Sequence, residues 1–135
     1  RAVADQVAAG CTLAKPENLA AETDLQTLVE LLRLSTVLLT NDSGPMHLAA
    51  SLGIPAVALF GPTDPQLTGP YGDGHDVFTG DCDLAPCFAR ACPRRFQECH
   101  SSVDPDAVAA AIVARLPLAE RGDGELPEES FPSQE

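Results

Sequence analysis

TVLLTNDSGPMHLAASLGIPAVALFGPTDP, Thr36 to Pro65, decides the fold of this 135-residue chain. Its first run, Thr36-Val37-Leu38-Leu39-Thr40, is β-branched and aliphatic, and it stops at the turn and N-cap residues Asn41-Asp42-Ser43-Gly44-Pro45. A buried strand therefore meets a loop at Asn41. From Met46 the apolar residues fall at Met46, Leu48, Ala49, Ala50 and Leu52, a short helix with stop signals at Gly53 and Pro55. Pro45 suits a first helical turn, where it has no N–H to lose, and Asp42 or Ser43 can cap the orphan amides. A second apolar run, Ala56-Val57-Ala58-Leu59-Phe60, ends at Gly61-Pro62-Thr63-Asp64-Pro65. Strand, helix and strand at this spacing predict one right-handed parallel βαβ unit, and so an α/β fold with a small parallel sheet.

The polar residues of that unit gather at one edge. Asp42, Ser43, Gly44 and His47 lie at the carboxyl end of the first strand or in the first helical turn, and Thr63 and Asp64 lie at the carboxyl end of the second. Ligands of open parallel sheets bind at that edge. A helix opening after Gly44 offers unpaired N–H groups and the positive end of its dipole, which suits a phosphate or pyrophosphate. His47 can add a hydrogen-bond donor or a positive charge. Asp42 repels phosphate and suits sugar hydroxyls, a backbone amide or a metal better. A plainer account makes Asp42 and Ser43 helix caps and His47 a structural histidine, and spacing alone leaves both accounts open.

Outward from the centre the signals are structural. Ala2–Ala9 has a short helical pattern stopped by Gly10; Cys11-Thr12-Leu13 is a short strand candidate, and Lys15-Pro16-Glu17-Asn18 a turn. Thr23-Asp24-Leu25-Gln26 has the form of a capping box and predicts a helix from Asp24 to Leu34, with Leu25, Leu28, Val29 and Leu32 on its buried face. Gln66–Asp76 is rich in Gly, Pro and Asp and predicts a loop beside the ligand edge. Its Tyr71 either packs over a bound sugar or makes a structural contact, and His75 is expected in solvent. Asp76–Thr79 is a strand candidate. Asp104-Pro105-Asp106 opens a last helix to Arg115 with a Val108, Ile112, Leu116 stripe that closes the domain.

Cys82, Cys87, Cys92 and Cys99 are spaced C-x4-C-x4-C-x6-C. Structural zinc sites generally contain a tighter pair, so a four-thiolate site is an alternative and no metal is expected; two disulfides are the other alternative and need an oxidising compartment. Arg90, Arg94 and Arg95 form a small basic cluster in the same segment, expected to face water.

Composition sets limits. A chain of this length can bury one core, and with no Trp and 4% aromatics the packing falls to Ala, Leu and Val. The net charge of -12 argues against nucleic acid and against an anionic membrane as partners. Much of the acidity sits in residues 119–135, among Gly, Pro and Ser, which predicts a folded unit over residues 1–118 and an acidic disordered tail over 119–135. No apolar run reaches the roughly 20 residues that span a bilayer. Arg1 rather than Met opens the chain, which leaves room for an upstream segment.

Asn41-Asp42-Ser43-Gly44-Pro45-Met46-His47-Leu48-Ala49-Ala50, with Gly53-Ile54-Pro55, Phe60-Gly61-Pro62-Thr63-Asp64-Pro65, Gly69-Pro70-Tyr71-Gly72 and Cys82, Pro86-Cys87, Cys92-Pro93 and Cys99, resembles glycosyltransferase family 9, the ADP-heptose:lipopolysaccharide heptosyltransferases. The resemblance runs from about Thr23 to Leu116. It implies the donor-binding, C-terminal half of a GT-B enzyme built from two Rossmann-like domains, truncated at its N-terminal side. By the same resemblance Asp42, Ser43, Gly44 and His47 contact the donor diphosphate and heptose, and Thr23 touches the adenine, although a helix cap also explains Thr23. His47 becomes a stabiliser of the leaving nucleotide. The implied reaction transfers heptose from ADP-heptose to the lipopolysaccharide inner core, without a cofactor, in the cytoplasm, where free thiols are expected. The general base, the phosphate-binding Lys and the ribose-binding acidic residue fall outside what can be placed here, so the chain alone is expected to bind donor weakly and not to turn over. The alternatives are a non-catalytic nucleotide-binding or cysteine zinc-binding module, or a GT-B enzyme using a UDP-sugar.

Overall fold

The structure is a computed structural model that describes residues 2–94 and 97–117; the acidic stretch 119–135 and Arg95 lie outside the described residues. Its elements run α1 (Ala2–Gly10), α2 (Leu25–Leu34), β1 (Leu38–Asn41), α3 (Gly44–Ser51), β2 (Ala56–Phe60), α4 (Pro65–Thr68), β3 (Asp76–Thr79), α5 (Glu98–Ser101) and α6 (Pro105–Arg115). The three strands form one parallel sheet in the order β1-β2-β3, with Leu38 paired to Ala56 and Val57 to Asp76. The βαβ unit is β1-α3-β2, and the fold class is α/β with a Rossmann-like sheet.

The central strand explains the core. β2 has neighbours on both edges and elements on its faces, so it reads as a continuous apolar run in which Ala56, Val57, Ala58 and Phe60 are buried. β1 and β3 are edge strands and alternate between half-buried and exposed residues. Met46 from α3 packs with Ala58 and Phe60, which places the centre of the core beneath the first turn of α3. At the other end of α3, Gly53 takes φ 71°, Gly53 N donates to Ala50 O and Ile54 N to Ala49 O, the Schellman arrangement that Gly53 and Pro55 foretold.

Several expectations shift. β1 starts at Leu38 rather than Thr36 and runs to Asn41. Cys11-Thr12-Leu13 forms no strand, and the chain bends over residues 12–14. Asp24, not Thr23, caps α2: the helix begins one residue later, at Leu25, and the Asp24 carboxylate accepts from Thr27 N at 2.8 Å. Of the predicted α2 stripe only Leu32 is buried; α2 packs on the shorter α3, and Leu25 in its first turn stays 66% exposed.

The Gln66–Asp76 segment is also corrected. It opens with α4, capped by Asp64, whose carboxylate accepts from Gln66 N at 2.9 Å. Parallel β2 and β3 then require the chain to return to the amino end of the sheet. Tyr71, 90% exposed, therefore lines a groove there with Pro55, Gly74 and Arg115, away from the ligand edge. His75 is not free in solvent: its Nδ1 accepts from Ala56 N at 3.1 Å and so satisfies the first amide of β2. A His75→Leu protein leaves that buried N–H unpaired and is expected to lose about 1–3 kcal/mol, read as a lower urea midpoint with an unchanged m-value. α6 follows its prediction, with Asp104 as cap and Val108 buried. Its last residue, Arg115, donates to Asp76 Oδ2 at 2.7 Å and to Gly74 O at 2.6 Å, fastening the helix to the start of β3.

Candidate functional site

β1 delivers the chain to the carboxyl edge at Asn41, and Asp42 and Ser43 carry it into α3. Asp42 N donates to Leu59 O at 3.3 Å, which holds this turn against β2. The Asp42 carboxylate does not cap α3; its Oδ2 accepts from Thr68 Oγ1 at 3.0 Å and ties the entry of α3 to α4. Ser43 occupies the N-cap position with φ −162° and ψ 167°, but its hydroxyl donates back to Asn41 O at 3.1 Å and lies 3.2 Å from Thr40 Oγ1. Its side chain makes no bond to the helix. The positive end of α3 is thus left without the side-chain cap that the sequence offered twice.

Two neighbouring features keep that end open. Gly44, the first residue of α3, is exposed, and a Cβ built on it meets nothing within 4 Å. His47, in the same first turn, is exposed, whereas Met46 beside it is fully buried. Core packing therefore fixes the helix and leaves the imidazole free to reach a ligand.

Next to this turn, Asn41, Asp42, Leu59, Gly61, Thr63 and His100 line a cleft of about 250 Å³. Thr63 Oγ1 in its wall is buried and has no hydrogen-bond partner, a condition that costs about 1–3 kcal/mol unless a ligand supplies one. His100, at the carboxyl side of α5, lies so close to Gly61 that a Cβ there would fall on the imidazole ring. Gly61→Ala is expected to push His100 out of the cleft wall and to cost about 1–3 kcal/mol, measured by thermal unfolding.

Sequence reasoning placed Asp42 and Thr63 at this edge and missed His100, whose approach to Gly61 joins two distant parts of the chain and leaves no local pattern. Ser43, Gly44 and His47 stand on the adjoining helical turn. Thr23 is half-buried just ahead of the Asp24 cap and is not among the residues that line the cleft; capping no longer accounts for it.

Among known proteins, the profile of glycosyltransferase family 9 (heptosyltransferase) matches residues 1–97. The chain belongs to glycosyltransferase family 9. It is 34% identical over 95 residues to lipooligosaccharide heptosyltransferase 2 of Campylobacter jejuni, covering 70% of this chain and 30% of that protein. It is 51% identical over 53 residues to lipopolysaccharide heptosyltransferase 2 of Escherichia coli K12, covering 39% of this chain and 15% of that one. The solved structure of E. coli ADP-heptose lps heptosyltransferase II superposes with a TM-score of 0.64 at 29% identity, over 84% of this chain and 32% of that one. This family 9 chain thus spans about 30% of the length of its first curated relative. Among the described residues no helix is long and apolar enough to cross a membrane.

Proposed function

We propose that this chain is the donor-binding half of a GT-B heptosyltransferase that moves a heptose from ADP-heptose to the lipopolysaccharide inner core in the cytoplasm, the acceptor being held by a further domain. The observation that carries the proposal is the start of α3, where Ser43 turns its hydroxyl away from the helix and Gly44 opens onto free space at the carboxyl edge of the sheet. A diphosphate there accepts from the leading amides and lies on the positive end of the helix. Membership of family 9 and likeness to named heptosyltransferases support heptose as the sugar.

In the proposed reaction an acceptor hydroxyl attacks the anomeric carbon. The carbon–oxygen bond to the diphosphate breaks, its electron pair leaves with ADP, and the hydroxyl proton passes to a base outside this chain. Negative charge grows on the diphosphate as that bond breaks, so His47 and the α3 amides are worth more in the transition state than in the bound donor. Asp42 orients the sugar hydroxyls, and the unpaired Thr63 hydroxyl gives the cleft a further donor. The full-length protein, incubated with ADP-heptose and a heptose-deficient lipopolysaccharide core, is expected to extend the core and release ADP. Extension from a UDP-sugar and none from ADP-heptose would sink the proposal.

A further inference from the structure

Cys82, Cys87, Cys92 and Cys99 open onto one cavity, although no three of their sulfurs lie within 4.8 Å of one another. All four line a single cavity of about 160 Å³, together with Arg90 and His100. Their spacing lacks the tight pair usual in zinc sites, but the fold lines all four along the same cavity.

Three contacts pin the two ends of the cysteine segment side by side. Gly80 packs so tightly on the Cys99 carbonyl that a Cβ would clash with it. Asp81 N donates to Ser102 Oγ at 2.7 Å. Arg94 bridges the carboxylates beside the first and last cysteines, donating to Asp83 at 2.7 Å and to Glu98 at 2.6 Å. The loop between is folded back onto the turn that follows β2 by Phe88 N, which donates to Pro62 O at 2.8 Å. Cys82 and Cys99 are half-buried on the fixed part of this frame, and Cys87 and Cys92 are exposed on the loop that covers it.

We propose that Cys82, Cys87, Cys92 and Cys99 bind one zinc ion as a closed tetrathiolate site. Four sulfurs select a soft ion that accepts tetrahedral geometry, and zinc–sulfur bonds of about 2.3 Å fit well inside the cavity. Each thiol gives up its proton to solvent as its bond to zinc forms, and no oxidant or reductant is needed. Among the described residues, the one group of three donors whose ligand atoms lie within 4.8 Å of one another is Cys82, Asp83 and Glu98, but Arg94 already holds both carboxylates. The remaining ligands are therefore the loop thiols, drawn inward as the ion binds. Four thiolates leave a net negative site, and Arg90 in the cavity wall offsets part of that charge. The ion's role is structural: it locks the loop and, through Cys99, seats the adjacent His100 against Gly61 at the donor edge.

The test is metal content of the purified full-length protein, loaded with zinc under reducing conditions and desalted. One tightly held zinc per chain is expected, lost from both Cys87→Ser and Cys92→Ser and kept by Cys11→Ser. Cobalt in place of zinc is expected to give the sulfur-to-metal charge-transfer and strong visible bands of a tetrahedral thiolate site. Circular dichroism of the two variants separates ligand loss from unfolding: a folded variant without zinc supports the site, and if either unfolds, the cobalt spectrum of the wild type decides. Zinc at less than about 0.1 per chain, zinc retained by both folded variants, a cobalt spectrum without thiolate bands, two disulfides by intact mass, or iron in its place each overturns the assignment.

Discussion

Replacing His47 with alanine is expected to lower the rate of heptose transfer by about 10²- to 10³-fold, the usual effect of removing one preorganised donor from a site of developing charge. The fold should not notice. His47 is exposed on α3, while the residues that anchor this helix, Met46 and Ala49, are fully buried. The loss should fall on kcat and on kcat/KM together if, as proposed, the imidazole acts where charge grows on the departing diphosphate. A variant whose KM rises while kcat holds would instead make His47 a ground-state contact. Urea unfolding of the same variant is expected to match the wild type within about 0.5 kcal/mol, as befits an exposed side chain.

Phe60→Ala is the stability counterpart. Phe60 is one of the largest fully buried side chains, on the central strand and in the cluster with Met46 and Ala58. Truncation removes its transfer energy and leaves a cavity, about 3–5 kcal/mol, against a total stability of about 5–15 kcal/mol for a domain. The urea midpoint should fall steeply and nucleotide binding should go with it, because Phe60 leads directly into the Gly61–Thr63 wall of the cleft. Phe60→Leu refills most of that volume and should cost less than about 1.5 kcal/mol.

Much of this was legible in the sequence because its causes are local. The switch of apolar period at Asn41 and again at Pro55 marks β1, α3 and β2, and Asp104-Pro105 marks α6. The family likeness rests on the same local run around Asp42-Ser43-Gly44. What was hidden depends on contacts between distant residues. Asp42 and Ser43 look like caps, yet Thr68 takes the carboxylate of one and Asn41 the hydroxyl of the other. Tyr71 looks close to the ligand edge in sequence, but the return crossover to β3 carries it to the opposite end. His75 looks solvated until the Ala56 amide is placed beside it, and His100 has no signal at all apart from its contact with Gly61. The spacing of the four cysteines lacks the tight pair usual in zinc sites, whereas the Arg94 bridge and the Gly80 contact close the segment on itself.

The central claim is that the open first turn of α3 holds the diphosphate of the donor, and Gly44→Val tests it most directly. The added side chain meets nothing in the fold within 4 Å at its Cβ, so the protein should remain folded while the surface offered to a phosphate is obstructed. Calorimetric titration of the full-length protein with ADP, with UDP as the comparison, is expected to show ADP binding in the wild type and at least about tenfold weaker binding in Gly44→Val, a loss of about 1.4 kcal/mol. Equal ADP affinity in the two proteins, with both folded, would contradict the account and move the donor away from α3.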